Sequence, residues 1–177
     1  MLWAFLAGYV LGGLPTVYWF GALRGRAFRS LDAYGTLGSV PGLMALFLDL
    51  FKGALAVALG EAIAGSPLGG LWGGVGAVWG HAFSPWLFLR GGKALAPGLG
   101  VLFAVDPRLL LGAFFLFALL TFLSRKPRPA LLATALAVPL LAAWLGKTPE
   151  HLLFGVGVSL PVVLRHLGDE AYSEPKV

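Results

Sequence analysis

Residues 94–128 read ALAPGLGVLFAVDPRLLLGAFFLFALLTFLSRKPR, and the fold turns on what the chain does at Asp106-Pro107-Arg108. Twelve residues, Ala94 to Val105, precede that triplet and would make about 18 Å of helix. An apolar run from Leu109 to Leu123 follows it. These are either two membrane spans with a turn outside or one interrupted span. Proline is tolerated at a helix start and not in a helix interior. Two spans also return Arg125, Lys126 and Arg128 to the side that holds Arg24 and Arg90, as the excess of Lys and Arg on cytoplasmic loops requires. The spacing therefore predicts two.

The rest of the chain follows the same logic. Ten of the thirteen basic residues fall into four clusters at alternate gaps between apolar stretches: Arg24, Arg26 and Arg29; Arg90 and Lys93; Arg125, Lys126 and Arg128; Arg165 with Lys176. The intervening gaps hold Arg108 and Lys147, and Lys52 lies within a span. Apolar residues make up 58% of the chain and charged residues 12%, with a mean hydropathy of +0.85, which leaves too little polar surface to coat a globule in water. The reading is an all-α polytopic membrane protein forming one domain over 1–177. Seven transmembrane helices are expected at about 2–23, 41–64, 68–89, 94–105, 107–123, 129–145 and 151–164, with the N-terminus outside and the C-terminus cytoplasmic. The polar tail from Arg165 onward is expected at the cytoplasmic surface.

The net charge of +5 follows from this asymmetry. No basic stripe with interleaved aromatics accompanies it, so nucleic acid is not an expected partner. Without cysteine there is no disulfide or thiol chemistry. Met1-Leu2-Trp3 carries no basic start, and the apolar run continues to Leu23, too long for a signal peptide, so a retained first span is expected. Glycine is frequent and falls at helical spacing, as in Gly8 with Gly12, Gly70 with Gly74 and Gly76 with Gly80, the pattern of helices packed closely in lipid.

Three features carry possible chemistry. Gly80-His81 to Lys93 ends the third span at the inner face, and consecutive glycines would let the N–H groups of Gly91, Gly92 and Lys93 converge on an anion, with Arg90 and Lys93 adding charge and the next helix pointing its N-terminus there. An ordinary loop with inside-positive charge accounts for the same residues. Asp49 and Lys52 sit inside the second span on one helix face, where each unpaired charge would cost about 2.5 to 3.5 kcal/mol, so they form either a structural ion pair or a polar site. His81 lies at a similar depth and could equally be a packing histidine. His166 near Asp169 could be an acid–base pair or an anchor at the membrane interface.

These residues resemble a known family. Gly80-His81, Phe83 and the run Trp86 to Lys93 are similar to the signature G-H-x-F-P-x-[FW]-L-x-F-x-G-G-K-G of the acyl-phosphate-dependent glycerol-3-phosphate acyltransferases. Gly38, Gly42 and Asp49-x-x-Lys52-Gly53 look like that family's G-x-x-x-G and D-x-x-K-G, Leu99-Gly100-Val101-Leu102 follows at the family spacing, and Arg165-His166 resembles its closing Y-R-H-R-E-N. The resemblance implies transfer of an acyl chain from an acyl phosphate to glycerol 3-phosphate in a bacterial inner (plasma) membrane, giving lysophosphatidate, with membrane lipids as the surroundings and no cofactor or metal. It implies catalytic roles for Lys93 and His166 and substrate binding by Gly91, Gly92, Lys93, Arg90, His81, Asp49 and Lys52.

The sequence also departs from the family. The family's first motif falls on Gly25 to Thr36, where Arg26 replaces its serine, Phe28 its asparagine and Thr36 its arginine. Ala94 replaces a glycine, Arg128 a serine, and Asp169 the terminal asparagine. A non-catalytic relative that binds lipid or acyl phosphate, or partners an intact enzyme, therefore stays open beside the enzyme. A small transporter is a third reading, suggested by the short fourth span and the buried charges.

Overall fold

The computed structural model describes residues 1–22 and 39–171. The cluster at Arg24, Arg26 and Arg29, the segment 25–36, Gly38 and Lys176 lie outside the described residues, as does the side chain of Asp169. Regular structure among the described residues is entirely helical: α1 (Leu2–Gly13), α2 (Thr16–Ala22), α3 (Ser39–Ala64), α4 (Pro67–Ala82), α5 (Leu95–Val105), α6 (Pro107–Ser124), α7 (Pro127–Gly146) and α8 (Pro149–Ala171), with a 3₁₀ turn at Pro85–Leu87. Four helices begin with proline, whose missing N–H costs nothing in a first turn.

Each expected span has a helical counterpart, with three corrections. The run expected over 2–23 breaks at Leu14-Pro15. The helix expected to reach Leu89 stops at Ala82, because Pro85 disfavours helical geometry in the residue before it and the chain turns away through Ser84. The last helix runs beyond the expected end at Leu164 and carries Arg165 and His166 with it. Hydropathy marks where lipid ends, whereas a polar residue such as Arg165 does not stop a helix. The break after Val105 is real. Asp106 closes α5 and caps α6, its Oδ1 accepting from the Arg108 N–H at 2.9 Å. The Arg108 guanidinium grips both carboxylate oxygens at 2.7–3.0 Å and holds that carboxyl below its usual range.

Among the described residues, five stretches are long and apolar enough to cross a membrane: Leu2–Ala22, Val40–Ala64, Pro107–Ser124, Pro127–Gly146 and Pro149–Gly168. Phe114, Phe115, Phe122 and Leu123 on α6 are 66–80% exposed, an apolar face suited to contact with lipid. Helix α4 is the hub, packing against α1, α3, α5 and α8. Lipid gives helices no hydrophobic reason to associate, so close approach and hydrogen bonding must supply it. Along the α1–α4 seam a Cβ at Gly8 would fall on the Gly73 carbonyl, at Gly12 on that of Ala77, at Gly76 on that of Phe5 and at Gly80 on that of Tyr9. Two of the glycine pairs read from the sequence, Gly8 with Gly12 and Gly76 with Gly80, form this seam, whereas Gly70 faces Glu61 on α3 and Gly74 faces Val57 on α3 and Val101 on α5.

Prolines and polar side chains complete the bundle. Pro161 inside α8 has no N–H to offer the carbonyl of Gly157, one turn earlier. The indole Nε1 of Trp79 on α4 donates to that oxygen at 2.9 Å. An unpaired carbonyl in hydrocarbon is costly, so this bond fixes the register of α8 on α4. Trp79→Phe keeps an aromatic ring, though a smaller one, and removes the donor, and is expected to destabilise the protein by about 1 to 3 kcal/mol in thermal unfolding in detergent.

Candidate active site

The end of α1 shows how buried charge is used. The last carbonyls of a helix lack partners within it. The hydroxyl of Ser84 donates to the Gly13 carbonyl at 2.7 Å, and the Lys52 ammonium donates to that of Leu14 at 2.9 Å. Lys52 Nζ also lies 2.7 Å from Asp49 Oδ1, which accepts a further bond from Thr16 Oγ1 at 2.6 Å. Thr16, Asp49 and Lys52 are each 5% exposed. Within this set the charges answer one another, and the ammonium also holds the α1–α2 break against α3. Geometry thus gives the pair a structural task. His81 Nδ1 stands 3.7 Å from the same Asp49 oxygen, with the ring only slightly exposed.

The glycine loop differs from expectation in an instructive way. The Gly91 N–H donates to the Ala82 carbonyl at 3.1 Å and the Gly92 N–H to that of His81 at 3.0 Å. Both amides are spent capping the end of α4, so the expected convergence of Gly91 and Gly92 N–H groups on an anion does not occur. Glycine is required for closeness instead. A Cβ on Gly91 would strike the His81 carbonyl, and one on Gly92 would strike His81 Nε2. Phe88, Leu89 and Ala94 have positive φ (53°, 63° and 60°), which lets the loop fold back so tightly. Ala94, standing where the family pattern has glycine, bears about 1 kcal/mol of strain for this conformation, and burial of its methyl offsets a similar amount. Arg90 and Lys93 are exposed.

With the loop amides turned toward α4, the loop carbonyls face α8. The Arg165 guanidinium donates to the Gly91 and Gly92 carbonyls and lies 5.7 Å from the centroid of the Phe83 ring. Next to it, His166 is 7% exposed, with Nδ1 2.7 Å from the Val162 carbonyl. Because a carbonyl only accepts, Nδ1 carries the proton and Nε2 of the neutral ring keeps its lone pair. Arg128 Nη2, at the start of α7, donates to the His166 carbonyl at 2.7 Å. The loop at 90–93, the start of α7 and the last turns of α8 therefore share one end of the bundle. The described residues of three of the four basic clusters meet there.

The family profile described as glycerol-3-phosphate acyltransferase matches residues 2–171. The chain belongs to the glycerol-3-phosphate acyltransferase family. The glycerol-3-phosphate acyltransferase of Synechococcus sp. (strain JA-3-3Ab) is 38% identical over 189 residues, covering 99% of this chain and 93% of that protein. That of Acaryochloris marina (strain MBIC 11017) is 35% identical over 188 residues, covering 91% and 83%. The crystal structure of PlsY (YgiH), an integral membrane glycerol 3-phosphate acyltransferase, in its glycerol 3-phosphate form, shares the fold with a TM-score of 0.79. Identity to it is 22%, covering 96% of this chain and 90% of that one. Membership of this family, with the apolar helices above, makes the chain a multi-pass membrane protein.

Sequence reasoning reached His81, Arg90 to Lys93 and His166 at this end of the glycerol-3-phosphate acyltransferase fold. It missed Ser84 and Trp79, which donate to backbone carbonyls of two proline-disturbed helices, and Thr16, which donates to Asp49. Pro15 and Pro161 were the available signal, since a proline in an apolar run announces carbonyls in need of outside donors.

Proposed function

We propose that this chain transfers an acyl group from an acyl phosphate to the 1-hydroxyl of glycerol 3-phosphate. The reaction takes place at the cationic end of a single seven-span domain in a bacterial inner membrane, with the N-terminus outside and the C-terminus in the cytoplasm. The observation that carries this reading is the meeting of the Lys93 loop with the His166 turn of α8 through Arg165. Family membership supports the substrate class. Both substrates carry phosphate, which suits an end rich in Lys and Arg.

In this reading the glycerol hydroxyl oxygen attacks the acyl carbonyl carbon. An ester C–O bond forms, the bond from that carbon to the phosphate oxygen breaks, and phosphate leaves with the electron pair. His166 Nε2 takes the hydroxyl proton. Lys93 and Arg90 bind phosphate charge, and the N-terminus of α5, beginning two residues after Lys93, favours the same anion. Side chains and the helix end therefore do the work that the Gly91 and Gly92 amides cannot. An acyl phosphate is already activated toward attack, so the chemistry requires no metal or nucleotide.

The altered segment 25–36 favours a second reading, a relative that binds lipid or acyl phosphate without turnover. Purified protein in detergent, given acyl phosphate and glycerol 3-phosphate, is expected to release phosphate and form lysophosphatidate, with Lys93→Ala slower by about 100-fold or more. Release no faster than that of Lys93→Ala would leave the binding reading in its place.

A further inference from the structure

The side chain of Arg165 fastens the glycine loop to α8, and its shape suits the task. The two amides of Gly91 and Gly92 bind the end of α4, so their carbonyls point away from it, toward α8. Arg165 meets them with two nitrogens of one planar group, Nε at 3.3 Å from the Gly92 oxygen and Nη2 on the Gly91 oxygen. The Phe83 ring lies against the guanidinium and restrains its plane. Phe83 is in turn packed on Trp79, ring centroids 5.6 Å apart, and Trp79 is bonded to the Gly157 carbonyl of α8 itself. The arginine is therefore held from both sides before it reaches the loop. A lysine offers a point charge without the fork and could not serve both carbonyls in the same way.

The consequence lies in the neighbours. Lys93 follows Gly92 directly and His166 follows Arg165 directly. We propose that Arg165 is a positioning residue, which sets the placement of Lys93 relative to His166 by locking the loop onto α8 and does not itself bind substrate phosphate. This rests on the acyl-transfer reading, since placement matters only if the two residues serve one reaction. A displacement of about 1 Å between reacting groups costs about 100-fold in rate.

The test compares wild type, Arg165→Lys and Arg165→Ala in detergent by hydrogen–deuterium exchange and by steady-state kinetics. Arg165→Ala is expected to speed amide exchange at residues 88–95 by about tenfold or more, with α1 and the body of α4 unchanged. Its kcat is expected to fall about 100-fold while KM for glycerol 3-phosphate stays within about threefold. Arg165→Lys should fall between the two in both readouts. A raised KM with loop exchange unchanged would mark Arg165 as a phosphate ligand and overturn the proposal. Exchange raised throughout the bundle in both variants would reduce it to a folding residue and overturn it equally. Should wild type transfer no acyl group, the functional reading fails by itself, and loop exchange alone decides the fastening: unchanged in Arg165→Ala, the lock does not exist.

Discussion

Asp49→Ala is expected to destabilise the protein by about 3 to 5 kcal/mol, a fall of about 10 °C in the thermal midpoint in detergent. The reason is what it leaves behind. Lys52 is 5% exposed and would be left in a low-dielectric interior with, among the described residues, the Leu14 carbonyl as its hydrogen-bond partner, while Thr16 would lose the acceptor of its hydroxyl. The pair itself contributes far less than either partner's removal suggests, because desolvating two charges cancels most of their attraction. Asp49→Leu combined with Lys52→Met should therefore recover most of the stability lost by either single change. The same double variant separates structure from binding. If it folds and turns over at near the wild-type rate, the pair has no part in holding substrate; a folded but inactive double variant would return Asp49 and Lys52 to the binding site.

Gly76→Val is expected to match that loss, at about 3 kcal/mol or more, through a different mechanism. A Cβ there would sit on the carbonyl of Phe5 and close to the amide of Tyr9, both backbone atoms. A flexible side chain could rotate away, whereas a helix backbone can yield only by moving the whole helix. Separating α1 from α4 also withdraws Gly13 from Ser84 and Tyr9 from the Phe83 carbonyl, bonds of 2.7 and 2.6 Å. Gly98→Ala is the control. Nothing lies within 4 Å of a Cβ at Gly98, so this change should be close to neutral or slightly stabilising in the same melt.

Much of this architecture is legible in the residue string, for reasons that differ by element. The break at Asp106 was readable because proline after a capping residue has one good position in a helix, the first. The α1–α4 seam was readable because only glycine repeats at that spacing when two backbones touch. The termini of α4 and α8 were not, since hydropathy locates the lipid boundary and says nothing of whether the backbone keeps turning beyond it. The loop at Gly91-Gly92 failed for a subtler reason. Paired glycines state that the backbone has freedom and closeness there, and leave unsaid which way the amides point. Only the position of the end of α4 decides that they cap a helix. Arg165 was visible as charge, but its task depends on carbonyls turned outward by that same cap.

Helix α5 is eleven residues, about 16 Å, measured from a turn that carries Asp106 and Arg108. The oily layer of a bilayer is about 30 Å thick, so a helix of this length spans about half of it. Lipid adapts to so short a segment by thinning and puckering, and water follows the polar groups inward. On the seven-span reading proposed above, the membrane around Lys93 would be dimpled. In that arrangement a hydrophilic phosphate and a greasy tail could meet at one depth, each still in contact with the phase it prefers.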